Sequence, residues 1–348
     1  MFLVPAYCIL SLIWSSYPSA TAYFAVQYFL TIYAAVLIAY TVRFNNIMLS
    51  AFLGFGIYAI LATLFGNTTA VGADGEMAFI GLAGSKNQSG EITLIAIIAS
   101  VAAMLALRST WRLPLWGFGL IVLLASAYSM LLSKATSSML FAAIGIPFLI
   151  VLMAFVRARA TTRGMAVFAV AFFVALIVMT SPFWVGEAIA AGLSLVGKDV
   201  TLTGRTVLWE SARELISQRP LLGVGYAGFW RPENPDAQIL WDAMKVKQGS
   251  PFNFHNTPLN LMVNTGIVGM VLFILPVVYC FFCNVVNYIY RPNILVIFSL
   301  TILACTLPRA WLEVIGDAPF NVNTLIFFLA LAYGPILRAR KSPSTAML

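Results

Sequence analysis

Ten stretches of this chain are apolar almost without interruption, and no other feature of its 348 residues limits the possible folds so severely. Half-buried strands would alternate apolar and polar residues, and these runs do not. A soluble core could not hide the apolar surface of a chain that is 61% hydrophobic and 9% charged. The expected fold is therefore an all-α polytopic integral membrane protein. Spans are expected at roughly 1–14, 21–42, 47–66, 92–107, 113–132, 138–156, 165–185, 258–288, 294–312 and 325–337. This divides the chain into a seven-span segment (1–185), a large polar loop (186–257) and a three-span segment (258–348), which together form one domain over 1–348. The first run is too short to span upright: fourteen residues reach about 21 Å against a hydrocarbon core of about 30 Å. It is expected to be tilted or partial, or to follow an N-terminal part not included here, the second reading being preferred. Its opening residues lack the basic segment and small-x-small site of a cleaved signal peptide.

Charge then orients the spans. Arg43, Arg108, Arg112, Arg157, Arg159, Arg163, Arg291, Arg338, Arg340 and Lys341 fall on the connections of one side, and all twelve acidic residues fall on the other. Basic connections stay in the cytoplasm, so both termini are expected there and the large loop outside. The net charge of +8 thus reports topology rather than nucleic-acid binding. Cys8, Cys280, Cys283 and Cys305 all lie in spans, and the Cys280-x-x-Cys283 spacing on an apolar helix is expected to serve packing. With one histidine and no Asp-x-Asp pair, no metal cage is expected.

In the large loop, Ala188–Val196 is mildly apolar and is expected on the interface. An amphipathic helix follows: Thr203 is the expected cap, Leu208, Ala212, Leu215 and Ile216 form a stripe at helical spacing, and Pro220 stops it. Arg205 then sits in the first turn, beside Gly204, where free N–H groups and the helix dipole favour an anion. Two readings stand: a phosphate contact, or an arginine that snorkels to headgroups or pairs with Glu210 or Glu214. Gly223, Gly225 and Gly228 either cradle an anion or let the chain bend, and their spacing is not a nucleotide fingerprint. Tyr226, Phe229, Trp230 and Trp241 are read as an interfacial belt or as platforms for sugar rings. The lone histidine, His255, stands just before a helix start at Asn256-Thr257-Pro258. The positive helix end behind it disfavours a cationic ring, which suits a proton acceptor. Gly266 and Gly269 are expected to lie on one helix face and permit close packing.

Taken together, Thr203-Gly-Arg-Thr-x-x-x-Trp, Pro220-Leu-Leu-Gly-x-Gly-x-x-x-Phe and His255-Asn-x9-Gly-x-x-Gly resemble, in order and spacing, the shared domain of O-antigen ligases and of Wzy-type and exopolysaccharide polymerases. Trp14-Ser-Ser-Tyr-Pro18, Gly84-Ser-Lys-Asn-Gln88 and Ser133-Lys134 extend the resemblance over nearly the whole chain. Family members usually carry about two more N-terminal helices, and many ligases have arginine where Lys134 stands, which leans towards the polymerase branch. The resemblance implies a metal-independent, inverting glycosyltransferase without a cofactor, in the bacterial inner membrane and facing the periplasm. Its donor would be an oligosaccharide on undecaprenyl pyrophosphate, and its acceptor a glycan or lipid A–core. Membrane lipids, a flippase and a chain-length regulator are further implied partners. His255 would be the base, Arg205 and Lys134 would hold the pyrophosphate, and Asn87, Lys86, Tyr226, Trp209 and Asn256 would contact substrate. A flippase or transporter is the rival class, but ionisable groups at mid-membrane are lacking. A non-catalytic scaffold would leave the spacing of Arg205, His255 and the glycines as accident.

Overall fold

The computed structural model describes residues 1–71, 76–106, 112–180 and 204–339. Thr203, Ala188–Val196, Arg108, Arg340 and Lys341 lie outside the described residues. In chain order the helices are α1 (Leu3–Leu10), α2 (Pro18–Thr41), α3 (Phe44–Phe65), α4 (Lys86–Ala106), α5 (Arg112–Ser133), α6 (Thr136–Ala154), α7 (Ala160–Thr180), α8 (Arg205–Gln218), α9 (Pro235–Ala243), α10 (Thr257–Tyr290), α11 (Ile294–Arg309) and α12 (Val322–Ala339). Seven of them are long and apolar enough to cross a membrane, and Leu3–Ile13, Ala160–Val174 and Ile294–Arg309 are shorter apolar helices. Every expected span thus coincides with an apolar helix, and the all-α polytopic class is borne out. An antiparallel hairpin of β1 (Asn67–Val71) and β2 (Glu76–Gly81) precedes α4, in the connection between the expected spans 47–66 and 92–107.

Which helices are central follows from burial. In α4, 78% of the spanning window is buried, and in α12 56%, against 28–33% for the other long spans, which turn leucines and phenylalanines to lipid. Small residues let the inner helices approach. A Cβ on Gly90 of α4 would come 2.5 Å from Ala135 Cβ, and one on Gly145 of α6 2.6 Å from Cys305 Sγ. The four cysteines are free and buried, as their place in spans implied.

Between α7 and α10 the described loop packs a second core from Leu208, Ala212, Phe229, Ala237, Leu240, Trp241 and Phe254, closed by Val263 of α10. The helical stripe on α8 faces this core as expected. The aromatic reading is corrected here: Trp241 is 0% exposed and Phe229 1%, so they fill an interior rather than a belt at the membrane surface.

The glycine motifs fit into each other. Gly266 interrupts α10 with φ 64 and ψ −171, a conformation open to glycine, so Gly266 and Gly269 do not share one continuous helical face. Backbone groups freed at such a break must be satisfied elsewhere. The turn at 220–225 satisfies them: Val224 N–H donates to Val263 O (3.0 Å), Gly225 N–H to Asn264 O (2.9 Å), and Ile267 N–H to Pro220 O (2.9 Å). A Cβ on Gly266 would lie 2.2 Å from Leu221 O. Gly223 and Gly266 therefore serve backbone docking, Gly269 makes room for the Thr265 and Tyr7 side chains, and Gly223 and Gly225 bend the chain instead of facing an anion.

The connections sort to two ends. At one end, the α1–α2 turn meets the large loop through Trp14 Nε1–H to Leu222 O (3.0 Å) and Ser16 N–H to Val224 O (3.2 Å). The α5–α6 turn and the start of α4 are joined there by the Gly90–Ala135 contact. At the other end Arg163 donates to Val156 O and Ile289 O, tying two basic connections together. A reporter fused near Trp241 is expected to read outside the cytoplasm and one at Thr162 inside. Exchanged signals would invert the orientation.

Candidate active site

His255 is fixed by the local chain on every side. Asn256 caps α10, its side chain accepting from Leu259 N–H (2.9 Å), and Pro258 starts the first turn. The His255 backbone is left-handed at φ 48, a region in which histidine is among the better-tolerated residues, and its N–H donates to Asn253 Oδ1 (2.8 Å). Trp209 of α8 holds the preceding residue by Nε1–H to Phe254 O (2.9 Å), and the Phe252 ring meets the imidazole edge-on at 5.7 Å.

The start of α10 is zipped to the segment after α11. Thr257 N–H donates to Ala310 O (2.7 Å), Asn256 Nδ2–H to Trp311 O (3.0 Å) and Thr257 Oγ1–H to Glu313 O (2.8 Å). This brings Glu313 under His255, where it becomes the hub. Its Oε2 lies 3.1 Å from His255 Nδ1, and its Oε1 accepts from Arg205 Nη2 at 2.7 Å and from Asn87 Nδ2 at 2.9 Å. Burial alone would raise the Glu313 pKa. The hydrogen bond and charge of His255, with the charges of Arg205 and Arg309, outweigh it and hold the carboxyl below its usual range. An ionised Glu313 fixes the proton of His255 on Nδ1, which makes Nε2 the accepting nitrogen.

Beneath this lies a second rung. Arg309, four residues before Glu313 and fully buried, reaches Glu91 Oε1 at 3.6 Å, and Asn323 Nδ2–H donates to Glu91 Oε2 (2.7 Å). Asn87 and Glu91 are one turn apart on α4, so the helix beginning at Lys86 rather than Ile92 places both on the site. Glu313, Glu91 and Arg309 were not among the site residues expected from sequence. The available signal was two ionisable residues after Pro308, at the end of an otherwise apolar run, where such residues are functional candidates by default.

Arg205, His255 and Asn87 are thus brought together, and Arg205 opens α8 behind the left-handed cap Gly204 (φ 83), not Thr203. Trp209 and Asn256 position backbone. Lys86 is half-buried at the first residue of α4; Lys134 is exposed in the α5–α6 turn, whose Ala135 packs on Gly90, so both lie on the same rim. Tyr226 departs from the expectation of a sugar platform. It is buried, stacked on Tyr28 at 5.2 Å, and its hydroxyl donates to Asp317 O (2.7 Å).

Asp317 is itself fully buried, with Oδ2 accepting from Asn260 Nδ2 (2.7 Å). Burial pushes its pKa up to about 7, against the lowering effect of that bond. An unfolded aspartate titrates near 3.9. Between the two values the folded chain holds a proton that the unfolded chain has lost, so stability falls as pH rises through this window and the loss persists above it. Asp317→Asn, which cannot ionise, is expected to flatten the dependence of the melting temperature between pH 5 and 8 in detergent. Parallel curves for the two proteins would show that Asp317 does not carry the effect.

Known proteins resemble this chain in sequence. Residues 121–274 match the O-antigen ligase family model, a stretch that contains Lys134, Arg205, His255, Gly266 and Gly269. Over 98% of its length the chain is 28% identical to the exopolysaccharide production protein ExoQ of Rhizobium meliloti (strain 1021), covering 78% of that protein. The resemblance read from the motifs is borne out. A chain of a solved peptidoglycan synthase complex aligns over 98% of this one and 97% of itself, with a TM-score of 0.44 and 14% identity, a likeness too weak to bear on function.

Proposed function

With an O-antigen ligase domain at its centre and kinship to an exopolysaccharide production protein along nearly its whole length, this multi-pass membrane protein, we propose, transfers a glycan from undecaprenyl pyrophosphate to a sugar hydroxyl at the periplasmic face of the inner membrane. The observation that carries the reading is the His255–Glu313–Arg205 cluster at the end of the bundle that bears the large loop. There a head group held by a lipid tail would stand at the height of the imidazole.

Each group has one task. His255 Nε2 takes the proton of the acceptor hydroxyl as its oxygen bonds to the anomeric carbon of the donor. Glu313 keeps the ring oriented and balances the imidazolium that forms. The bond from the anomeric carbon to the pyrophosphate oxygen breaks, and Arg205 stabilises the charge left on that oxygen. Only Nη2 of Arg205 is engaged by Glu313, so its fork has further N–H donors for phosphate. Attack opposite the leaving group inverts the anomeric centre. The side chains supply base and cation between them, and the reaction as drawn runs without a metal.

Polymerisation, with a second lipid-linked repeat as acceptor, is the favoured form, since the relative is named for exopolysaccharide production. Attachment to lipid A–core is the alternative. The test is transfer by purified protein from a synthetic undecaprenyl-pyrophosphate glycan to each acceptor, with and without EDTA. In that assay Glu313→Gln is expected to lower kcat by about 10²–10⁴-fold with KM little changed, the scale of a lost general base or its orienting carboxylate. A wild-type protein that transfers nothing from this donor would overturn the reading.

A further inference from the structure

Two arginines of this chain are buried, and they are housed in opposite ways. Arg163 donates to the carbonyls of Val156, Ala158 and Ile289, bonds that offset the loss of water around its charge. Arg309 is 0% exposed, yet Nε, Nη1 and Nη2 have no hydrogen-bond partner among the described residues. Glu91 Oε1 stands off from Nη1 at 3.6 Å, and Asn323 Nδ2–H holds the other carboxylate oxygen at 2.7 Å. A guanidinium sealed from water with so few bonds is a poor structural strut; what it brings to the fold is its charge.

That charge is delivered to one place. Arg309 and Glu313 are one turn apart, and Glu313 N–H donates to Arg309 O at 2.8 Å. Opposite them Asn87 and Glu91 are one turn apart on α4, so the two segments meet as a ladder, Asn87–Glu313 above and Glu91–Arg309 below. Glu313 therefore has a cation on either side: Arg205, part-exposed, and Arg309, fully buried. We propose that Arg309, moderated by Glu91, is a positioning residue that keeps the Glu313–His255 couple in its working charge state while Arg205 is drawn onto the leaving group. The inference rests on the glycosyl-transfer reading above and adds how the site keeps its carboxylate when its upper cation is shared. Arg205 holds Glu313 Oε1 through Nη2 at 2.7 Å, and a bound pyrophosphate competes for the same guanidinium. With Arg205 alone, Glu313 would meet the donor as a buried carboxylate short of a counter-charge. It would take up a proton and release its hold on the imidazole. Arg309 has no exposed surface through which a substrate could draw it away.

The charged groups that face the couple are Arg205 of α8, Glu91 of α4 and Arg309 of α11. Lys86 and Lys134 stand on the rim, Asp317 is turned to Asn260, and α12 brings the uncharged Asn323. Removing Arg309 alone would strand Glu91, so the test exchanges the pair. Arg309→Met/Glu91→Gln leaves no charge on the lower rung, a kind of change that buried pairs tolerate without loss of stability. His255 is the one histidine of the chain. Its titration can therefore be followed by nuclear magnetic resonance of histidine-labelled protein in detergent, with no donor present. Loss of a nearby cation lets the couple hold its proton more tightly, so the midpoint in the double variant should rise by about one pH unit. The acid limb of kcat/KM should rise with it, giving roughly tenfold slower transfer below the limb and recovery at alkaline pH. Arg309→Lys, which keeps the charge, should titrate as the wild type does. Glu91→Gln removes the opposing charge and should lower the midpoint, an outcome that does not depend on the double variant folding. A purely structural pair would change melting temperature or overall rate and leave every midpoint in place. An unmoved midpoint in the folded double variant, an equal rise in Arg309→Lys, or a rise in Glu91→Gln would overturn the proposal. Failure of the glycosyl-transfer reading looks different: the wild type would transfer nothing from the undecaprenyl donor, whatever the titration shows.

Discussion

His255→Ala is expected to abolish detectable glycan transfer, lowering kcat by about 10²–10⁴-fold as the acceptor loses its base, while the protein still inserts and accumulates. The ring is part-exposed at the junction of loop and helix, so its removal opens no cavity in the bundle. Its backbone, however, is left-handed at φ 48, a conformation that costs an alanine about 1–2 kcal/mol. His255→Asn therefore belongs beside it, because asparagine tolerates this region and cannot act as the base. Both variants should be inactive, and the asparagine form should match the wild type in thermal stability. Transfer at a near-normal rate by the folded asparagine variant would remove His255 from the mechanism.

Arg205→Ala should reduce kcat/KM by about 10²–10³-fold, or roughly 3–4 kcal/mol, the usual cost of losing a donor to a developing oxyanion. Arg205→Lys should recover only part of this, since a point charge replaces a planar fork, and Lys134→Arg should be tolerated best. The loss should be the same after EDTA treatment. A purely structural arginine would also lose activity when removed, because Glu313 would be left buried without its cation. A binding measurement that needs no turnover separates the cases. If Arg205 serves only to neutralise Glu313, Arg205→Ala binds undecaprenyl pyrophosphate as tightly as the wild type. If Arg205 grips the pyrophosphate, Arg205→Ala binds it more weakly, while Glu313→Gln, which keeps the guanidinium, does not. Full activity in Arg205→Ala, or strict dependence on a divalent ion, would show that the clamp is wrongly assigned.

The spans, their order and the two charged ends were legible because hydrocarbon enforces continuous apolar runs and topology writes itself in arginines. His255 and Arg205 were legible for a local reason: each stands at a helix start, announced for Arg205 by the apolar stripe that runs from Leu208 to Pro220 and for His255 by Asn256 and Pro258, although the cap of the first proved to be Gly204. Glu313 was not, since its role depends on the bond pattern that folds 310–313 onto the α10 cap, and no periodicity encodes a contact across 58 residues. Asn87 was read from the resemblance alone; its partner came only with the α4 start at Lys86. Tyr226 misled because an aromatic in a polar loop reads alike whether it faces a sugar or a second tyrosine.

The hub at Glu313 also sets an order of events during synthesis. Asn87, Arg205 and His255 leave the ribosome long before Glu313, and Glu91 waits for Asn323. A nascent chain released after α10 would already carry the imidazole and the arginine, but not the carboxylate that joins them. The assembled site therefore arrives only with the final pair of helices, and an unfinished chain in the membrane carries its imidazole and its guanidinium without the carboxylate that couples them.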